Sequence, residues 1–313
     1  MKLPPKFLFG TKWEAAAVEP LTGDASARKY FRLRKDRQTA ILMDASSVRE
    51  IVAPFVQINL HLQQLSFSVP AILARDDANG FLLLEDFGDE TFSRLLKNNI
   101  EPEKLFTLAT DVLIALHKHP QAVPENLRAY HPQKMLEDLE LFLGAHAISE
   151  NGRAEFRKIW LDVLPLAHQV PTTLLLRDYH VANLMLLPGR ESIRQAGLLD
   201  FQDAYQGPVT YDLVSLLEDA RRDLPPGLKE KMLAHYLAQF PNLDRSAFET
   251  SMAILAALRH TRVLAVFEKL SREEKPDYKK LHSPRVERLL QEALRHPKLV
   301  GVKNWFDRYA RQD

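Results

Sequence analysis

Asp178, Asn183 and Asp200 are the residues whose types and spacing can do chemistry in this sequence. Asp178 and Asn183 lie five residues apart in Leu176-Arg177-Asp178-Tyr179-His180-Val181-Ala182-Asn183. Asp200 follows the apolar run Gly197-Leu198-Leu199 and leads into Phe201-Gln202-Asp203. Apolar segments at 174–176, 184–187 and 196–199 read as a short β island, with Pro188-Gly189-Arg190 as a turn. If the last two segments pair antiparallel, Asn183 enters a hairpin where Asp200 leaves it, and an amide oxygen stands beside a carboxylate. Both are hard oxygen ligands of the kind magnesium takes. Asp178, on the preceding loop, is expected to face the same pocket. One carboxylate off the metal and two oxygen ligands on it suit phosphoryl transfer, which needs charge neutralisation and an oriented hydroxyl more than covalent help. Singly, each residue reads as a loop or strand cap; their order and spacing together favour chemistry.

The elements that must position these residues fall into two regions. The first is strand-rich: Val18–Leu21, Arg28–Arg34, Thr39–Met43, Pro70–Ala74 and Phe81–Leu84, with one long helix from about Val48 to Leu65. Gly23 and Asp24 make the loop after the first strand a hairpin turn. The rest is mostly helical, with helical periodicity near 102–117, 132–143, 153–166, 211–220, 227–239 and 245–270. The expected fold class is therefore α+β, with a five-stranded antiparallel lobe at 1–86 and a mostly helical lobe at 87–313. At 313 residues the chain is longer than one hydrophobic core usually serves.

Composition removes several classes of function. The chain has no cysteine, which excludes disulfides, thiolate zinc sites and cysteine nucleophiles. Its 42 basic and 41 acidic residues leave a formal charge of +1, so no large nucleic-acid surface is expected. Met1 to Gly10 lacks the apolar run of a signal peptide, and the stretch from Ser251 to Phe267 is broken by Arg259, His260 and Arg262. No membrane span is expected, and the reading is a soluble, cytoplasmic protein. Neither Gly-x-x-x-x-Gly-Lys nor Gly-x-Gly-x-x-Gly occurs. His117 and His119 are two apart, not the spacing that puts two ligands on one helical face.

The order Asp178, Asn183, Asp200-Phe201 matches the catalytic set of protein kinases. The stretch Arg177-Asp178-Tyr179-His180-x-x-Asn183, followed by Leu199-Asp200-Phe201, resembles the aminoglycoside phosphotransferase and choline kinase superfamily. Gly23-Asp24-Ala25-Ser26-Ala27-Arg28-Lys29-Tyr30-Phe31-Arg32 and the run from Tyr211-Asp212-Leu213 to Arg221-Arg222-Asp223 resemble one branch of it. That branch is the bacterial anomeric kinases that phosphorylate N-acetylmuramate and N-acetylglucosamine at C1 in cell-wall recycling. The resemblance implies a two-lobed, protein-kinase-like fold and an ATP- and magnesium-dependent kinase of a small amino sugar. No nucleic acid, membrane or obligate protein partner is implied.

By the same resemblance, Asp178 is the catalytic base, and Asn183 and Asp200 hold the metal. Gly23, Asp24, Ser26 and Arg28 lie over the phosphates, and Glu85 belongs to a hinge that holds adenine by backbone groups. Asp212 ties the catalytic loop from the start of its helix. Arg221 and Arg222 could meet a substrate carboxylate, and Asp203 is grouped with them as a sugar contact. One departure stands out: the third strand, Thr39-Ala40-Ile41-Leu42-Met43-Asp44, has no lysine where kinases place one. Arg28 and Arg32 have the reach to replace it. Two other readings remain open here: a kinase of another small hydroxyl compound (aminoglycoside, choline or homoserine type), and a non-catalytic nucleotide-binding module.

Overall fold

Alternation of apolar and polar residues along 17–44 and 72–85 produces the first sheet. The structure, a computed structural model, describes residues 6–21, 28–273 and 277–310. In chain order its elements begin with β1 (Ala17–Leu21), β2 (Lys29–Lys35), β3 (Gln38–Asp44), α1 (Val52–Gln64), β4 (Ile72–Asp76) and β5 (Phe81–Glu85). There follow α2 (Phe92–Lys97), α3 (Pro102–Lys118), α4 (Pro132–Ala145), α5 (Glu150–Val163), β6 (Thr172–Leu175), β7 (Leu184–Leu186), β8 (Ala196–Leu198) and β9 (Tyr205–Pro208). The chain ends in α6 (Thr210–Leu217), α7 (Leu228–Ala238), α8 (Arg245–Glu273), α9 (Asp277–Ala293) and α10 (Val300–Tyr309).

By compactness the chain divides into two units. One takes in the described residues up to Ile100 together with Ala182–Asp203; the other takes in Glu101–Val181 and the described residues from Ala204 onward. This division differs from the expected one at 86/87, for a reason that hydrogen bonds explain. Leu186 N–H donates to Glu90 O at 2.8 Å, and Leu198 N–H donates to Ser68 O at 2.7 Å. These bonds tie the β7–β8 hairpin to the first unit, far from its place in the sequence.

In the first unit the sheet order is β1-β2-β3-β5-β4, with every pairing antiparallel. One face buries Leu33, Ala40, Leu42 and Leu83 against Leu8 and Trp13. Residues one place along, Met43, Leu82 and Leu84, are buried on the other face. β5 is thus apolar on both sides, as a central strand must be. In α1, Asn59 is fully buried and donates to Pro70 O at 2.9 Å, while Phe55 stacks on Phe201 with ring centroids 5.1 Å apart. That stack anchors the residue following Asp200.

In the second unit, β6 pairs with β9 (Leu175↔Tyr205), not with the β7–β8 hairpin. The single β island expected from the sequence is therefore two separate ladders, and β9 has no counterpart in the sequence reading because Gly207-Pro208 looks like a turn. α8 is long and apolar enough to cross a membrane by length and composition alone, but 72% of its most apolar 18-residue window is buried inside the protein, as in a core helix. Its apolar character serves the core around it, where Ile254, Leu255, Ala257 and Leu258 are buried.

Leu33→Ala should cost about 2–5 kcal/mol, because it leaves a cavity where the side chain is 0% exposed. Leu73→Ala, at 50% exposure, should fall within about 0.5 kcal/mol of wild type. Urea unfolding of both variants checks the contrast, and similar losses at the two sites would be the wrong outcome for this packing.

Candidate active site

Three side chains of the first unit converge on Asp200. The β7–β8 ladder pairs Leu184 with Leu198, and Leu199 N–H donates to Asn183 O at 3.0 Å, so Asn183 and Asp200 flank the open end of the hairpin as expected. Asn183 Nδ2 lies 3.5 Å from Asp200 Oδ2, and Gln202 Nε2 donates to Asp200 Oδ1 at 3.1 Å. Arg28 Nη2 meets the same Oδ1 at 2.5 Å. Burial works against the Arg28 charge, but Tyr30 and Asp200 beside it hold its pKa above the ordinary value. Asp200 itself has φ +60°, a left-handed conformation that costs energy for a residue with a Cβ.

The structure separates the two arginines that the sequence offered for phosphate. Arg32 is 5% exposed, and each of its guanidinium nitrogens lies within ion-pair distance of a carboxylate. Nε and Nη2 bind Asp86 at 2.7 and 3.0 Å, Nη1 binds Asp89 at 2.9 Å, and Nη2 also donates to Gly88 O at 3.0 Å. Arg32 thus fixes the 86–89 segment, whereas Arg28 stands beside Asp200. Glu85 is also committed: its N–H donates to Ala71 O at 2.8 Å, and its carboxylate accepts from Ala71 N at 3.1 Å and from Arg190 at 2.6 Å. A hinge contact by the Glu85 backbone N–H would break the sheet, which leaves only its carbonyl. Gly23, Asp24 and Ser26 lie outside the described residues.

In the second unit Asp178 sits half-buried on a loop held from three sides. Asp212, fully buried in the first turn of α6, accepts from Leu176 N at 2.6 Å and from Arg177 N at 2.9 Å. Burial pushes the Asp212 carboxyl up to about 7, against the two amides that favour its charged form. Ser215 Oγ, one α6 turn on, donates to Arg177 O at 3.3 Å. The Arg177 guanidinium pairs with Asp138 at 2.7 Å and stacks among Tyr130, Tyr205 and Tyr211, with centroid distances of 4.7, 5.2 and 5.8 Å. Tyr179 OH donates to Ala109 O at 2.8 Å, anchoring the loop beyond Asp178 to α3.

Comparison with known proteins decides the family. A model described as the phosphotransferase enzyme family matches residues 17–249. The chain belongs to the phosphotransferase enzyme family. A Caulobacter vibrioides protein named N-acetylmuramate/N-acetylglucosamine kinase is 34% identical, over 93% of this chain and 91% of its own length. A choline/ethanolamine kinase family protein from Mesorhizobium loti shares 16% identity at a TM-score of 0.65, covering 96% of this chain and 95% of that one. A complex titled as streptomycin, ATP and APH(2")-IIa shares 15% identity at a TM-score of 0.59, covering 90% of this chain and 99% of that one. These structural likenesses bear out the protein-kinase-like α+β fold expected from the sequence.

In this phosphotransferase the three residues grouped as sugar contacts do not sit alike. Asp203 is exposed and belongs to the first unit, whereas Arg221 and Arg222 belong to the second. Arg221 is exposed, with Nε donating to Tyr278 OH at 2.8 Å; Arg222 is half-buried. Sequence reasoning passed over Gln202, Asp138 and Arg190. Gln202 follows the Asp200-Phe201 pair and could have been found by asking what donates to that carboxylate. Asp138 gave no signal, since it looks like any charged residue of α4.

Asp212→Asn should lower stability by about 1–3 kcal/mol, because one of the two buried N–H groups then faces an amide NH2. Turnover should fall with it as the Arg177–Asp178 segment loosens. Thermal unfolding and steady-state rates measured together check this; a variant as stable and active as wild type would mean that the loop is held by other means.

Proposed function

We propose that this chain is an ATP-dependent kinase of the anomeric (C1) hydroxyl of N-acetylmuramate and N-acetylglucosamine, working with magnesium in peptidoglycan recycling. The observation that carries the reading is its likeness, along nearly the whole chain, to a relative named for those two sugars. The Asp200 cluster supplies the chemistry such a reaction needs.

The residues fit magnesium. Asp200 and Asn183 would hold it with hard oxygens, the remaining positions being left to phosphate oxygens and water, as is usual for this ion. When bound, the metal neutralises charge on the phosphates of the nucleotide. Arg28 supplies a cation beside Asp200 where the third strand has no lysine, and this speaks against a non-catalytic reading.

Asp178 accepts and orients the C1 hydroxyl proton. The C1 oxygen forms a bond to the terminal phosphorus of ATP as the bond from that phosphorus to the bridging oxygen breaks, and ADP leaves with the electron pair. An anomeric hydroxyl is more acidic than an ordinary alcohol, which eases transfer of its proton to a carboxylate. Arg177 stays out of the chemistry: its guanidinium is consumed by Asp138 and the tyrosines, and its task is to fix the backbone of the next residue.

Asp178→Asn should reduce turnover by about 10²–10⁴-fold with nucleotide affinity little changed, since Asp178 is assigned no metal contact. Asp200→Asn should instead raise the magnesium–ATP concentration needed for half-maximal rate. Steady-state kinetics with nucleotide binding measured separately checks the pair. Full activity of Asp178→Asn would remove the assigned base.

The position of transfer has its own test. Free N-acetylmuramate and N-acetylglucosamine should be phosphorylated, and their 1-O-methyl glycosides should not. The glycoside keeps every other hydroxyl, so its turnover at a comparable rate would move the chemistry to another ring position.

A further inference from the structure

Arg259, on α8, is 6% exposed, and its Nη1 is buried with no hydrogen-bond partner among the described residues. Neighbours on the same helix turn each have a carboxylate within ion-pair distance. His260 Nε2 lies 2.6 Å from Glu218 Oε2, and Arg262 Nε lies 4.0 Å from Asp138. No carboxylate among the described residues forms an ion pair with Arg259. Burying a guanidinium without a counter-charge costs several kcal/mol, so an arginine kept this way calls for an anion from outside the chain.

Its position in the second unit says which anion. α6 holds the Asp178 loop by its first turn, through Asp212, and meets α8 just past its last turn, through Glu218 and His260. The Arg259 turn of α8 is bracketed on its other side by Arg262 and Asp138, and Asp138 holds Arg177. His180, two residues after Asp178, is within electrostatic range of Asp219, Asp178, Arg259 and Arg221. The His180 ring Nδ1 is likewise buried with no hydrogen-bond partner among the described residues. Burial pushes the His180 pKa down, so the ring is neutral beside Arg259 at neutral pH. Asp219 is buried, but its Oδ1 accepts from Arg221 N at 2.8 Å and does not pair with Arg259. A fixed, buried guanidinium fork matches a carboxylate in shape and charge, and a hydroxyl supplies only part of that match.

We propose that Arg259 is the residue that recognises a carboxylate on the acceptor sugar, and that it favours an acidic sugar of the N-acetylmuramate kind over neutral N-acetylglucosamine. The assignment rests on the reading of the reaction given above. A charged hydrogen-bonded contact is worth about 1.5–3 kcal/mol, which corresponds to roughly a 10–100-fold effect.

The test compares kcat/KM for the two sugars in wild type, Arg259→Gln and Arg259→Lys, with a thermal melt of each. Arg259→Gln should lower the N-acetylmuramate to N-acetylglucosamine ratio by roughly 10–100-fold, with most of the change in the N-acetylmuramate KM. Arg259→Lys, which keeps the charge but loses the fork, should recover part of it. Equal losses on both sugars, with or without a lowered melting temperature, would show a structural role and overturn the assignment, as would an unchanged ratio in an active variant. A wild-type enzyme that phosphorylates neither sugar would instead overturn the reading of the reaction, and this assignment with it.

Discussion

Arg177 sits at φ +67°, in the left-handed region where a residue with a Cβ is disfavoured by about 1–2 kcal/mol, and a single buried carboxylate opposes that cost. Asp212 takes the N–H groups of Leu176 and Arg177 on its two oxygens, so the backbone there cannot relax without leaving buried groups unpaired. The guanidinium of the same residue is fixed independently by Asp138 and three tyrosines. Backbone and side chain of Arg177 are therefore locked by separate devices, and the direction of Asp178 follows from both. α6 and α4 are needed in their observed places chiefly to bring Asp212 and Asp138 to this loop.

The same logic explains what could be read from the sequence. Strand alternation at 29–35 and 38–44 and the apolar stripe of α1 follow from local periodicity, and they are seen where expected. The Asn183–Asp200 juxtaposition was legible because a hairpin converts two distant positions into neighbours once its strands are recognised. What escaped depends on contacts between segments far apart in sequence. The attachment of the β7–β8 hairpin to Ser68 and Glu90, the pairing of β6 with β9, and the engagement of Arg32 by Asp86 and Asp89 all arise this way. A strand arginine facing solvent and one gripped by a loop carboxylate look identical in sequence. α2, α9 and α10 were missed as separate elements because α2 and α10 are short and α9 is strongly charged.

Charge is nearly balanced over the chain, and the buried arginines show how that balance is used. Arg32 is matched by Asp86 and Asp89, and Arg177 by Asp138. In each case removing one partner would strand the other in a low-dielectric surrounding, so the pair works as a latch for two segments more than as a source of net stability. Arg259 breaks the pattern. Among the described residues it is buried without a carboxylate ion pair, in the same unit as Asp178, which is why the proposal for the acceptor is placed there.

Arg28 poses a different problem, since in the proposed reaction its partner Asp200 must also serve the metal. The pair is short, 2.5 Å, and the Arg28 side chain is 12% exposed, so full separation would be costly. A guanidinium need not separate. With five donors in a planar fork it can keep one N–H on a carboxylate oxygen while presenting others to phosphate. The contact uses Oδ1 of Asp200, shared with Gln202, whereas Oδ2 faces Asn183. The two oxygens are thus already divided between an arginine side and an amide side. On this view the cation that kinases usually place on the third strand is supplied here by Arg28, next to β2. It is secured before the nucleotide arrives by the carboxylate with which it would share the phosphates.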